Sequence, residues 1–157
     1  MQGHGPELPR EAQREAAEQL ATAVEAVADL LREVAASTEP RLTAHGLKVM
    51  CFVSDSPGRN LTAVAAAVGL DLPRASRVCA ALEAAGLLLR RPAPGDRREI
   101  GLDVSREGRA LLEEFGAKRR ERMAAVLRRM PTEKRCALVG ALGELVFAVA
   151  AVGSEGG

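Results

Sequence analysis

Apolar residues recur at helical spacing along most of the chain, and this pattern predicts a mainly α-helical protein of about six helices. The first predicted helix covers residues 9–36, with the apolar stripe Ala16, Leu20, Ala23, Val27, Leu30 and Val34. The last covers residues 132–152, with the stripe Leu138, Leu142, Leu145, Val149 and Val152. Both stripes have the heptad spacing of helices that pack on other helices. We expect a two-fold dimer through these helices, the alternative for the first helix being packing on its own domain.

Four further helices are predicted between the chain ends, each after a residue whose side-chain oxygen can accept a hydrogen bond from the first helical turn. The caps and helices are Thr43 with 44–54, Asn60 with 61–68, Asp71 with 72–84, and Ser105 with 106–130. Gly69 makes the turn between the second and third of these helices. Gly86 can adopt the left-handed conformation that ends a helix. The two short helices 61–68 and 72–84, joined by the turn at Gly69, form a helix-turn-helix.

Residues 87–104 predict a two-stranded hairpin with a cationic tip. The apolar run 87–89 leads into Arg90 and Arg91, Pro92, Pro94 and Gly95 break it, and a strand-like pattern resumes over residues 98–104. A helix with Arg and Ser residues followed by such a hairpin is the layout of a winged helix-turn-helix. In that layout the helix fits the major groove of DNA and the wing reaches an adjacent groove.

The distribution of charge supports a DNA-binding surface, although the net charge is only +1 over 157 residues. Residues 1–40 contain three basic and eight acidic residues, a net charge of −5. Residues 117–135 contain eight basic and two acidic residues (+6), and residues 87–98 contain four Arg and one Asp (+3). A near-neutral chain can therefore still present a cationic face to DNA. The acidic first helix and the basic stretch could attract one another across a dimer interface.

Composition argues against several other classes of protein. The three cysteines form no CxxC motif, and the two histidines have no metal-ligand spacing, so we expect no metal and no cofactor. The sequence contains no nucleophile elbow and no phosphate-binding glycine loop, which are motifs of enzymes. We therefore expect no catalytic residue. We also expect no apolar run of the ~18 residues that span a bilayer and no signal peptide, hence a cytoplasmic protein without a membrane partner. The cysteines are predicted on apolar helix faces, with Cys51 pointing inward.

The chain resembles the MarR (multiple-antibiotic-resistance regulator) family of bacterial transcription factors. The matching residues are Val68-Gly69-Leu70, Pro73, Ser76-Arg77, Leu82-Glu83, Gly86-Leu87, Asp96-Arg97-Arg98 and Ser105-Arg106-Glu107-Gly108-Arg109. The resemblance implies a homodimeric transcription regulator, most often a repressor, that binds a pseudo-palindromic site on double-stranded DNA. It also implies one domain over residues 1–157, with dimerisation helices at 9–36 and 105–152 and a DNA-binding module at 40–104.

Candidate contact residues follow from this layout. In the major groove we expect Pro73, Arg74, Ser76 and Arg77, with Arg77 and Ser76 as the main base contacts. The wing residues are Arg90, Arg91, Asp96, Arg97 and Arg98; the resemblance implies that Arg98, or Arg97 as the alternate, enters the minor groove while Asp96 orients it. Contacts with the DNA backbone are expected from Arg59, Asn60 and Thr62. Asp71 departs from the Ser common in the family, and its carboxylate would repel phosphate.

Two questions stay open at this point. The resemblance implies that a small-molecule effector could bind in a cleft between the dimer helices and the winged module, where Arg41 and His45 could meet an anion. The chain has no Trp or Tyr to stack on such a ligand. The alternative function is a dimerisation or protein-interaction module without sequence-specific DNA binding. The nonpolar stretch 63–67 and Asp71 favour that alternative, while the wing arginines and the Arg74/Arg77 pair argue against it.

Overall fold

The computed structural model describes residues 9–93 and 96–154 and contains six helices and two strands. In chain order these are α1 (Arg10–Ala36), α2 (Ala44–Asp55), α3 (Leu61–Val68), α4 (Leu72–Ala84), β1 (Leu88–Ala93), β2 (Asp96–Val104), α5 (Arg106–Arg129) and α6 (Thr132–Ser154). The predicted fold class, mainly α with a two-stranded wing, is confirmed. The chain divides into two compact units, Met1–Lys118 and Arg119–Gly157.

The helices of the first unit begin at the predicted caps. Thr43 Oγ1 accepts a hydrogen bond from the Gly46 N–H (3.0 Å), and Asn60 Oδ1 accepts one from the Ala63 N–H (3.0 Å). Gly69 has a φ of 69°, so the left-handed turn between α3 and α4 needs a residue without Cβ strain. Local i to i+3 contacts therefore set where α2 and α3 begin.

One apolar core joins α2, α3, α4, the two strands and the start of α5. Its fully buried side chains include Val49, Met50 and Val53 of α2 and Val64 of α3. These α2 residues follow at steps of one and three, so they occupy a single helix face. Cys51 lies on the other side of α2 and is exposed, so its predicted inward orientation is wrong. The prediction assigned a core position to Cys51, which directly follows the buried Met50. A step of one residue rotates a side chain by about 100° around the helix axis.

The wing is an antiparallel pair whose base is closely tied to the helices. Leu88 pairs with Val104 and Arg90 with Leu102 across the two strands. Residues before α3 add to this sheet, because the Gly58 N–H donates to Leu102 O (2.8 Å) and the Leu102 N–H donates to Arg59 O (2.9 Å). This contact fixes the wing relative to the N-terminus of α3.

The end of α4 and the start of α5 meet at the base of the wing. Gly86 takes a φ of 74°, and its carbonyl oxygen accepts a hydrogen bond from Ser105 Oγ (2.6 Å). The same Oγ accepts from the Gly108 N–H (2.8 Å), which confirms Ser105 as the cap of α5. The Ser105 N–H donates to Leu87 O (3.0 Å). These bonds close the hairpin where it leaves the helices.

Helix α1 is partly packed on its own unit and partly exposed. Val34 and Ala35, near its end, are buried against Phe115 of α5. Leu20 and Val27, earlier in the same stripe, are 45% and 38% exposed. Packing on its own domain therefore accounts for the last turns of the stripe only.

Helix α6 is apolar and almost wholly exposed within the second unit. Leu138, Leu142, Val149 and Val152, all predicted stripe residues, are exposed. An 18-residue window within Thr132–Gly153 has a mean hydropathy of 2.1 with none of the window buried, and by length and composition the helix could cross a membrane. The expectation that no apolar run reaches that length is therefore wrong. That expectation was based on uninterrupted runs of apolar residues, whereas the mean hydropathy of a helical window stays high despite an isolated charge such as Glu144.

Candidate nucleic-acid interface

Helix α4 is held by one buried face and a capped N-terminus. Ala75, Cys79 and Leu82 follow at steps of four and three residues, and all three are buried. At the N-terminus, Asp71 Oδ1 accepts a hydrogen bond from the Arg74 N–H (2.8 Å), and Pro73 lies in the first turn, where its missing N–H costs little. The opposite face is therefore free to contact another molecule.

That opposite face contains the four predicted major-groove residues. Pro73, Arg74 and Arg77 are exposed, whereas Ser76 is half-buried. Arg77 Nε lies 3.4 Å from Pro73 O, at the long end of hydrogen-bonding distance, so the guanidinium is only weakly held against its own helix. An arginine in this position has the donors for bidentate contact with a guanine edge.

The carboxylate of Asp71 contacts one of these arginines. Its Oδ2 lies 3.5 Å from Arg74 Nε, and both side chains are more than half exposed. Asp71 therefore serves as a helix cap and also offsets the charge of an arginine on the candidate DNA-binding face. An exposed pair of this kind contributes little to stability.

We expect Asp71→Ser to raise DNA affinity by about two- to fivefold per half-site, because it removes a negative charge that faces phosphate and releases Arg74. Serine caps a helix about as well as aspartate, so the unfolding midpoint should hold. Fluorescence anisotropy with labelled duplex DNA measures the first effect, and circular dichroism measures the second. Asp71→Asn is the matched control, since it keeps the shape of the side chain. A loss of affinity with unchanged stability would mean that Asp71 positions Arg74 for DNA.

The predicted backbone contacts lie at the N-terminus of α3. Arg59 and Thr62 are exposed there, and the half-buried Asn60 caps the helix. The Arg59 carbonyl oxygen pairs with the wing strand through Leu102. Its side chain therefore projects from a segment that is fixed by both α3 and β2.

The two arginines at the base of the wing have different surroundings. Arg90 Nε donates to both carboxylate oxygens of Glu83, at 2.9 and 3.1 Å. Arg91 Nε lies 3.9 Å from Asp103 Oδ2, beyond hydrogen-bonding distance. Sequence reasoning did not find the partner of Arg90, because Glu83 and Arg90 are separated by the turn at Gly86.

The wing-tip residues Asp96, Arg97 and Arg98 are described only by their backbone, which lies in β2. Their side chains lie outside the described part of the structure.

The predicted effector residues border two cavities beside α4. Arg41 lies on a cavity of about 280 Å³ with Arg77 and apolar residues that include Leu42 and Leu82. His45 lies on a second cavity of about 350 Å³, whose other lining residues are Leu70, Arg74, Arg77 and Val78. Both cavities share Arg77 and Val78, so the structure brings Arg41 and His45 close to the predicted base contacts.

The cysteines differ in exposure. Cys79 is buried on the apolar face of α4, whereas Cys51 and Cys136 are exposed. Burial, and secondarily the Glu83 carboxylate, raises the pKa of the Cys79 thiol, while Arg90 acts in the opposite direction. A buried thiol with a raised pKa is a poor nucleophile. Among the described residues no group of His, Cys, Asp and Glu could hold a metal ion.

Comparisons with known proteins agree with this geometry. Residues 49–99, from α2 to the wing, match the model of the MarR family. A search of curated proteins gives no match. Among solved structures, RV1404 from Mycobacterium tuberculosis is 23% identical over 93% of this chain and 98% of its own, with a TM-score of 0.76. A MarR family protein from Bacillus stearothermophilus is 15% identical over 92% and 99%, with a TM-score of 0.77.

A third similar structure is a variant of MepR from S. aureus, described as bound to an oligodeoxyribonucleotide. It is 14% identical over 85% of this chain and 97% of its own, with a TM-score of 0.65. These likenesses extend the shared fold over nearly the whole chain, beyond the stretch that the family model covers. The residue pattern of the winged module, the family model matched over residues 49–99 and this common fold all support the resemblance to the MarR family.

Proposed function

We propose that this protein is a homodimeric transcription regulator, acting as a repressor, that binds a pseudo-palindromic operator on double-stranded DNA. The observation that carries the proposal is the exposed face of α4, where Arg74 and Arg77 stand on a helix whose other face is locked into the core. A helix fixed in this way can enter a major groove with its side chains already directed outward. A fold shared with a MepR variant bound to an oligodeoxyribonucleotide supports the same function.

Within this proposal, each group of residues has a distinct role on DNA. Arg77 and Ser76 read base edges, with Arg74 and Pro73 beside them. The wing supplies Arg91 to phosphate and Arg98, with Arg97 as the alternate, to the minor groove, where Asp96 orients the inserted side chain. The N-terminus of α3 contributes backbone contacts from Arg59, Asn60 and Thr62.

The apolar surfaces of α1 and α6 are assigned to the dimer. Exposed apolar surface of this extent usually marks an interface, and MarR regulators form dimers. We favour a second copy over a lipid bilayer as the partner of α6. Glu144 interrupts the middle of the apolar stretch, and a charge at that depth in a membrane is costly. The MepR variant and RV1404 match this chain over nearly their full lengths as well.

An effector remains part of the proposal. An anion beside Arg41 or His45 would act on the module that holds α4, and it would release DNA by changing the distance between the two recognition helices. A ligand that lowers DNA affinity without altering the dimer in solution scattering would contradict this mechanism. We further propose that the protein binds rather than catalyses, and that it works in the cytoplasm.

The test is fluorescence anisotropy with the DNA directly upstream of the protein's own gene, competed by unlabelled random duplex. We expect binding that withstands the competitor and falls by ~10³–10⁵ between 50 and 200 mM salt, as six to ten phosphate contacts require. If this DNA shows no preference, selection from a genomic library follows. Failure to select any sequence would leave the protein-interaction module as the function.

A further inference from the structure

Glu83 at the end of α4, the recognition helix of the proposed function, forms a charged polar contact with Arg90 of the wing. Arg90 Nε lies 2.9 Å from Glu83 Oε2 and 3.1 Å from Oε1. The glutamate side chain is only 25% exposed, and the arginine is 46% exposed. Both contacts are within normal hydrogen-bonding distance, and a charge on each partner strengthens them.

The backbone directs these two side chains toward each other. Glu83 lies in the last turn of α4, and the left-handed turn at Gly86 reverses the chain into β1. Arg90 pairs with Leu102 across the ladder and therefore lies on the same face of the wing as that buried leucine. This is the face that packs on the helical core, so the arginine extends back along the wing toward α4.

The neighbouring arginine provides a natural comparison. Arg91 lies on the opposite face of the strand, where Asp103 is 3.9 Å away and also 3.9 Å from Arg109. Its side chain is 61% exposed, and its 3.9 Å separation from Asp103 is longer than the contacts of Arg90 with Glu83. Two adjacent cations at the base of the wing thus have different freedom to meet a phosphate.

We propose that Glu83 is a positioning residue, which uses Arg90 as its partner to fix the angle between the recognition helix and the wing. This inference rests on the proposed DNA-binding function, and it removes Arg90 from the phosphate contacts expected from sequence. A wing held at one angle places its tip in a minor groove when α4 occupies the adjacent major groove. The paired arginine and glutamate thus act on DNA through geometry, without either side chain touching it.

The variants Glu83→Gln, Arg90→Gln and the double variant test this role, with Arg91→Gln as the matched control. We expect each single change to weaken specific binding by about three- to tenfold, and the double change to cost no more than either single one. In Glu83→Gln and Arg90→Gln, the affinity for random duplex should equal that of the wild type. The slope of log affinity against log salt should also be unchanged. In Arg91→Gln the slope should fall by about 0.9 for each phosphate that Arg91 neutralises in the wild type.

A gain in affinity on Glu83→Gln would overturn the proposal, because the carboxylate would then act only by masking a cation. A lower salt slope in Arg90→Gln would also overturn it, because Arg90 would then bind phosphate. Additive losses in the double variant would do the same.

Hydrogen exchange of DNA-free protein tests the contact separately from DNA binding. Amides of β1 and β2 should exchange faster in Glu83→Gln than in the wild type, and equal rates would contradict the proposed positioning. Wild-type protein that selects no DNA, together with faster exchange in the variant, would refute the proposed function while leaving the contact intact.

Discussion

Arg77→Ala is expected to abolish operator preference while leaving the protein folded. Each bidentate contact between an arginine and a guanine is worth about 1–3 kcal/mol of discrimination, or about 5- to 150-fold. A dimer presents this arginine twice, so binding of the variant to the operator should approach binding to random duplex. The side chain is exposed and its hydrogen bond to Pro73 O is long, so its removal should not change stability. Competition anisotropy measures the preference, and circular dichroism measures the fold.

Arg77→Lys separates the reading of a base from simple charge. Lysine keeps the positive charge but cannot form the planar, bidentate contact. We therefore expect Arg77→Lys to bind random duplex like the wild type and still lose most of its preference. If Arg77→Lys instead keeps full preference, Arg77 acts as a point charge near phosphate. Base reading would then belong to other residues of α4.

Gly108→Ala is expected to destabilise the fold by about 1–3 kcal/mol or more. A Cβ at this position would lie 2.3 Å from Leu87 O and 2.8 Å from Val104 Cγ1. The first of these atoms is backbone that already accepts the Ser105 N–H, so it cannot move aside without loosening the base of the wing. Thermal unfolding followed by circular dichroism should show a fall of roughly 2–4 °C for each kcal/mol.

Gly140→Ala in α6 is the control for this substitution. Among the described residues, its added methyl group would meet no atom within 4 Å beyond its chain neighbours and the backbone of its own helix. Replacing a glycine inside a helix with alanine stabilises it by roughly 0.5–1 kcal/mol when there is space. A fall in the Gly140→Ala midpoint would place that position in an interface. An unchanged midpoint in Gly108→Ala would show that the junction at Leu87 can relax.

The sequence predicted most of the helix boundaries because the interactions that set them are local. Thr43, Asn60 and Asp71 cap through bonds to a residue three positions ahead, and such bonds depend on few other residues. Ser105 was also predicted as a cap, but its second bond, to the Gly86 carbonyl nineteen residues away, was not. The apolar spacing and the breaks at Gly and Pro residues predicted the positions of α4 and the wing, and the resemblance to the family agreed with them.

Contacts between elements could not be predicted in the same way. The chain has 22 basic and 21 acidic residues, so composition alone cannot select Glu83 as the partner of Arg90. The inward orientation assigned to Cys51 was wrong because several consecutive residues of α2 are apolar. Their pattern does not decide which of two adjacent residues lies on the buried face of the helix. The cavity that holds Arg41 arises only when the α1–α2 loop and α4 come together, and it brings Arg41 into a cavity with Arg77.

The exposed apolar surface of α6 makes assembly, and with it DNA binding, depend on the concentration of the chain. If a second copy covers this surface, the assembled state gains stability as the chain accumulates, by mass action. Operator occupancy would then rise more steeply than in simple proportion to the amount of chain, because assembly precedes recognition. Under the proposed repressor function, dilution of the chain during growth would therefore lower operator occupancy without any ligand.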